Sequence, residues 1–172
     1  MKTVTIQDKN RHAKRGYNDE PERTAMVRMM KDDQRCHDFI CEYFSLDPNK
    51  EYFIQQDPFG NFDVDLAMRD KNNIVGLLEV DVSYPWGTVW PLYFKWCHRL
   101  ERKIKYYKGR PYPYMNFTFN TLHTSAIATT REIEEQYPVR YDKPFVRQGH
   151  TDNVKEIPIE AALKFGEWVN DI

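Results

Sequence analysis

Long apolar runs are missing from this sequence. No stretch approaches the roughly 18 consecutive apolar residues that a membrane-crossing helix needs, so the chain is expected to make no membrane span. Cysteine is scarce: Cys36, Cys41 and Cys97 are odd in number and show no CxxC spacing. That excludes a disulfide framework or zinc ribbon and predicts reduced, buried thiols. Glycine is scarce too, at 7 residues, and neither GxGxxG nor GxxxxGKS/T occurs. The common nucleotide-binding loops are therefore excluded. No GxSxG elbow is present, and the histidines show no HxxxH spacing. A net charge of −1 lacks the basic excess of a general nucleic-acid binder. The first twenty residues have no apolar core, which predicts a cytoplasmic chain without a secretory leader.

What is present fits one soluble domain. The 172 residues are 41% hydrophobic and 30% charged, enough to bury a core without disulfides. Aromatics make up 15%, which suits either a large core or a stacking surface. Charge is segregated rather than mixed. Residues 93–110 carry seven Lys or Arg against the single Glu101, and residues 9–15 add four more. Acidic residues gather at 63–81 and 132–135. Such segregation says more about function than the net sum.

Along the chain, residues 1–21 read as a polar arm ending at Pro21. A 3.6-residue period in Met26, Met29, Met30, Cys36, Phe39, Ile40 and Tyr43 predicts a helix over 22–46. Three strands are expected next: 51–56, 62–69 and 74–83. The second alternates strictly, with Phe62, Val64, Leu66 and Met68 on one face and Asp63, Asp65, Ala67 and Arg69 on the other. In the third, Leu78, Val80 and Val82 oppose Leu77, Glu79 and Asp81. Phe94, Cys97, Leu100, Ile104 and Tyr107 predict a second helix over 92–107, stopped by Gly109-Arg110-Pro111. A strand is expected at 113–120 and a helix at 125–136. An irregular, proline-punctuated stretch follows over 138–158, then a terminal helix at 159–170. Together these give an α/β fold, a small mixed β-sheet flanked by helices with an α-β-β-β-α-β core.

The informative chemistry lies in the hairpin 62–83. Simple pairing through the 70–73 loop brings Asp63, Asp65, Glu79 and Asp81 together. Like charges across a sheet repel, and something must offset that cost. One answer is a hard divalent cation such as Mg²⁺ or Mn²⁺, which prefers carboxylate oxygens. The other is a solvated acidic face, with Arg69 or a helix lysine as counter-ion.

The stretch Gly60-Asn61-Phe62-Asp63-Val64-Asp65, followed by Leu77-Leu78-Glu79-Val80-Asp81, resembles the PD-(D/E)XK superfamily of metal-dependent nucleases. An Asp ends the second strand, a Glu follows 14 residues later in the third, and a Lys/Arg-rich segment comes next. The resemblance covers roughly residues 22–120 and implies a restriction-endonuclease-like domain over 22–172. It departs in one place: the third-strand motif ends in Asp81 where the family has Lys. Some members supply that Lys from the following helix, which makes Lys95 the candidate here, with Arg99 one turn later.

The resemblance implies a nuclease hydrolysing phosphodiester bonds, of DNA before RNA, with Mg²⁺ or Mn²⁺ as cofactor. Its catalytic residues would be Asp65, Glu79 and Lys95. Its metal ligands would come from Asp65, Glu79, Asp81, Asp63 and, on the first helix, Glu42. Arg99, Arg102, Lys103, Lys105, Lys108 and Arg110, interleaved with Tyr106 and Tyr112, would track a nucleic-acid strand by phosphate contact and stacking. A homodimer is compatible with the sequence. The replaced lysine also leaves a second reading open: a degenerate nuclease scaffold that binds nucleic acid or inhibits a protein partner without cutting.

Overall fold

The computed structural model describes residues 6–7, 20–60, 62–91, 93–147 and 150–169. Most of the expected N-terminal arm lies outside them. Its described parts are β1 (Ile6–Gln7), which pairs in parallel with β2 (Phe53–Gln56), and Glu20-Pro21, which open the first helix rather than end an arm. Two helices replace the expected single one: α1 (Glu20–Asp32) and α2 (Gln34–Tyr43). The break falls at Asp33, whose carboxylate accepts from the Cys36 N–H as an N-cap and also accepts from the Gly166 N–H.

The sheet then forms as β3 (Leu66–Arg69), β4 (Ile74–Val82), β6 (Tyr114–Phe119), β7 (Ser125–Thr130) and β10 (Leu163–Gly166), in the spatial order β1-β2-β3-β4-β6-β7-β10. Strands β2, β3 and β4 make an antiparallel meander. Strands β4 and β6 are parallel, so the chain between them crosses over one face. That crossover carries β5 (Trp96–Leu100) and a 3-10 helix (Glu101–Tyr106), not the single helix expected over 92–107. A second antiparallel sheet, β5-β9-β8, uses β8 (Val139–Arg147) and β9 (His150–Pro158). The stretch expected to be irregular is thus a long hairpin. Residues 125–136 divide into β7 and a short α3 (Arg131–Glu135), and the expected terminal helix is a 3-10 turn followed by β10. The architecture is mixed α/β. Among the described residues no helix is long and apolar enough to cross a membrane.

Period-2 alternation decides what each face of the main sheet meets. Leu78, Val80, Met115, Phe117 and Phe119 point to α1 and α2, where Met26, Met30, Ile40 and Phe44 close the main core. Gly76 lets Phe44 lie flat on β4: a Cβ there would fall 2.4 Å from the ring. The opposite face is covered by the 3-10 helix and the second sheet rather than by a helical layer. Apolar contacts there are split between Val64, Ala67, Leu77, Tyr106, Tyr107 and Tyr114 on one side and Trp86, Cys97, Ile127 and Ile157 on the other. Trp86 packs on Trp90 and Trp168, while Trp96 is exposed. The three cysteines are free thiols, with Cys36 and Cys97 buried.

Candidate functional site

The same alternation that buries Leu78 and Val80 drives Glu79 and Asp81 onto the covered face, beside Asn116 and Thr118 of the parallel strand. Asp65 lies one residue before β3 and reaches the same place. Its backbone N–H donates to Glu79 Oε2 at 3.0 Å, and its own Oδ2 accepts from the Val80 N–H at 3.2 Å. This reciprocal pair locks the two carboxylates across adjoining segments. Behind Asp65 stands Arg23 of α1, which is buried, bonds Asp57 through both terminal nitrogens at 2.7 and 2.9 Å, and lies 3.5 Å from Asp65 Oδ1.

The cation on this cluster is Lys103, from the 3-10 helix. Its Nζ lies 2.8 Å from Glu79 Oε1 and 2.9 Å from Asp81 Oδ2. Lys95 instead lies exposed just before β5. Arg99, the other expected substitute, is buried in a neighbouring network. It donates to Thr129 Oγ1, Thr118 Oγ1 and the Asn116 carbonyl, and stands 3.7 Å from Glu134. Lys155 donates to the Glu134 backbone carbonyl. A continuous polar layer therefore runs from Asp65 to Lys155 between the two sheets. Within it, Tyr114 Oη, Asn116 Oδ1 and Glu134 Oε2 have no hydrogen-bond partner among the described residues.

Two cations face the three carboxylates: Lys103 on Glu79 and Asp81, and Arg23 at 3.5 Å from Asp65. Burial, opposed by Lys103 but reinforced by Asp65 and Asp81, pushes Glu79 up to about 8. The proton of Lys103 is held more tightly than usual: its own burial works against the charge, but Asp81, Glu79 and Asp65 outweigh it. Glu134 is raised to about 7 by burial, against the pull of Arg99, Lys155 and Lys103, with Asp81 adding to the rise. A carboxyl with a higher pKa folded than unfolded binds more protons in the native state. Its stabilisation is present in acid and is lost as pH rises through the folded value. The melting temperature should therefore fall between about pH 5 and about pH 9, and Glu134→Gln should flatten part of that slope. His98 and His123, whose pKa values desolvation lowers, push the slope the other way, so the test is the difference between the two proteins; an unchanged slope in Glu134→Gln would contradict the burial of Glu134.

The remaining expected ligands go elsewhere. Asp63 leaves the cluster and takes a bidentate bond from Arg110 at 2.7 and 2.9 Å, because residues 62–65 form a loop, not a strand. Hydrogen bonds from Arg110 and the Val64 N–H lower its pKa against the effect of burial. Glu42 is exposed on α2, which covers the face of the sheet opposite Glu79. Of the expected strand-tracking residues, Lys105 and Lys108 are exposed, and Arg102 is exposed and paired with Asp152 at 3.4 Å. Tyr106 is buried. Tyr112 lines a cleft of about 310 Å³ with Tyr43, Pro111, Arg131 and Glu132, which Asp65, Glu79 and Asp81 do not line.

Among the described residues no group of three His, Cys, Asp or Glu side chains is already arranged as a metal site. The donor chemistry at Asp65, Glu79 and Asp81 nonetheless fits a hard divalent cation, since all three offer carboxylate oxygen. The Asp81 side chain is 41% exposed and gives the cluster an open side. Such a cation would share Glu79 and Asp81 with Lys103. Comparison of the chain with family models, with curated proteins and with solved structures gives no match in any of the three.

Proposed function

We propose that this protein is a metal-dependent nuclease of the PD-(D/E)XK type, with Lys103 in the role that the third-strand lysine has in that family. The observation that carries the reading is the convergence of Asp65, Glu79 and one lysine, with that lysine entering from the β4–β6 crossover and closing to 2.8 Å on Glu79. The antiparallel β2-β3-β4 meander followed by a parallel β6 supports a restriction-endonuclease-like core around it.

Asp65, Glu79 and Asp81 would hold the metal. A bound Mg²⁺ or Mn²⁺ supplies Lewis acidity for a phosphate oxygen and a lowered pKa for an attacking water. The chain's own part is to fix these groups beforehand. The Asp65–Glu79 backbone bonds set the two carboxylates in register, and Arg23 and Asp57 brace Asp65 from behind. Lys103 keeps its charge and stands ready to stabilise negative charge developing on phosphate. Exposed Lys105 and Lys108 follow it on the same segment and suit the neighbouring phosphates. DNA is the first substrate to test and RNA the second.

The test is titration with Mn²⁺ by calorimetry, on wild type and on Asp81→Asn. The expected result is saturable binding to wild type, weakened at least about tenfold by the loss of one ligand. An absence of binding heat in both proteins would favour a scaffold that has lost its metal and acts by holding a partner.

A further inference from the structure

The loop leading into Asp65 presents a bulky aromatic residue where the fold would more readily place glycine. Phe62 has φ of +63°, the left-handed region that a large L side chain avoids. Its ring is 72% exposed, so burial does not repay the strained backbone. The loop is held firmly on both sides. Asp57, at φ +48°, is clamped by Arg23, and its N–H donates to the Asp65 carbonyl at 2.9 Å. One residue beyond Phe62, Asp63 is fixed by Arg110, whose guanidinium also lies 4.0 Å from the centre of the Phe59 ring. Arg110 belongs to the segment that carries Lys103, so the loop is pinned against that cationic edge. Lys105 lies close enough to act on the Asp63 charge. Strain maintained by such over-determined surroundings tends to mark functional positions.

Three residues span at most ~11 Å of chain, so Phe62 stands within one or two nucleotides of a phosphate at Asp65. We propose that Phe62 is a stacking platform for an unpaired base beside the scissile phosphate, and that the substrate is therefore a single strand or a duplex with a frayed or flapped end. This rests on the nuclease reading above and specifies its substrate. An exposed ring on a loop pinned through Asp63 to Arg110 offers what single-strand binding requires, a base-stacking face on the same edge as backbone cations. A continuous duplex offers no free base face to such a ring. The two tyrosines that the sequence suggested for this role are buried or half-buried, whereas Phe62 is an exposed ring three residues from Asp65.

The experiment measures binding of single-stranded DNA carrying 2-aminopurine, and of the matching blunt duplex, with Ca²⁺ and again with EDTA. The proteins are wild type, Phe62→Gly and Phe62→Trp, each with its melting temperature. Phe62→Gly should melt higher, because glycine adopts φ +63° without strain. It should also bind single strand about tenfold more weakly and leave duplex binding within about twofold. Phe62→Trp should retain single-strand binding and the aminopurine quench. Unchanged single-strand binding in Phe62→Gly, or an equal loss on duplex, would overturn the platform and leave the nuclease reading standing. Wild type that binds neither strand form under either condition would overturn both.

Discussion

Replacing Lys103 by methionine should destabilise the protein by ~3–5 kcal/mol, the range for removing one partner of a buried ion pair. Methionine keeps an unbranched stem and removes the charge together with the hydrogen bonds that Nζ donates to Asp81. Glu79 is almost fully buried and Asp65 lies beside it, so neither carboxylate can turn to water in compensation. The variant should recover in two ways. Acid should restore stability by protonating the cluster, and Mn²⁺ should stabilise the variant more than it stabilises wild type, because the metal then meets no competing ammonium. Urea denaturation with EDTA and with Mn²⁺ measures both effects. A loss below about 1 kcal/mol, in the range of a surface pair, would show that Lys103 is a solvated counter-ion and not part of a buried site.

Glu79→Gln should lower hydrolysis on the order of 10³-fold, comparable to removing one preorganised charge-stabilising group, while leaving the fold in place. The amide oxygen can still accept the Asp65 N–H, so the register of the two strands survives. What is lost is the carboxyl that a bound metal would hold deprotonated, opposite Lys103 at 2.8 Å. Asp63→Asn provides the contrast. That side chain is spent on Arg110 and lies off the cluster, so hydrolysis should change by less than about tenfold, with the effect felt through the loop. Equal losses in the two variants would show that the acidic hairpin matters only for folding.

The carboxylate cluster was legible because β4 alternates without interruption and one turn joins it to the preceding strand. Strict alternation places Glu79 and Asp81 on one face whatever their chemistry. Alternation continued back to Phe62 would put Asp63 in the cluster, whereas the chain turns left-handed there and Val64 joins the apolar side with Ala67 and Leu77. Lys103 was found only as a strand-tracking residue because residues 96–100 carry two periods at once. Cys97, Leu100 and Ile104 fit a helix, while Cys97 and Arg99 point inward as a strand. A buried arginine reads as a solvent-facing residue to any hydrophobic pattern, and its partners Thr118, Thr129 and Glu134 lie far along the chain. The β8-β9 hairpin was hidden by its prolines. Pro138 precedes β8, Pro158 ends β9, and Pro144 lies where the pairing shifts register between Arg140 and Phe145, positions at which a strand tolerates proline. The element order of the first half could be read from local pattern, but the covering layer required contacts that no local window contains.

The most direct measurement is hydrolysis of single-stranded DNA, blunt duplex DNA and RNA by the wild-type chain in Mg²⁺, in Mn²⁺ and in EDTA, with Glu79→Gln alongside. The account predicts cutting that needs the metal, favours an unpaired strand and disappears in the variant. No cutting of any substrate with either metal, by a wild-type protein that is folded, would contradict it.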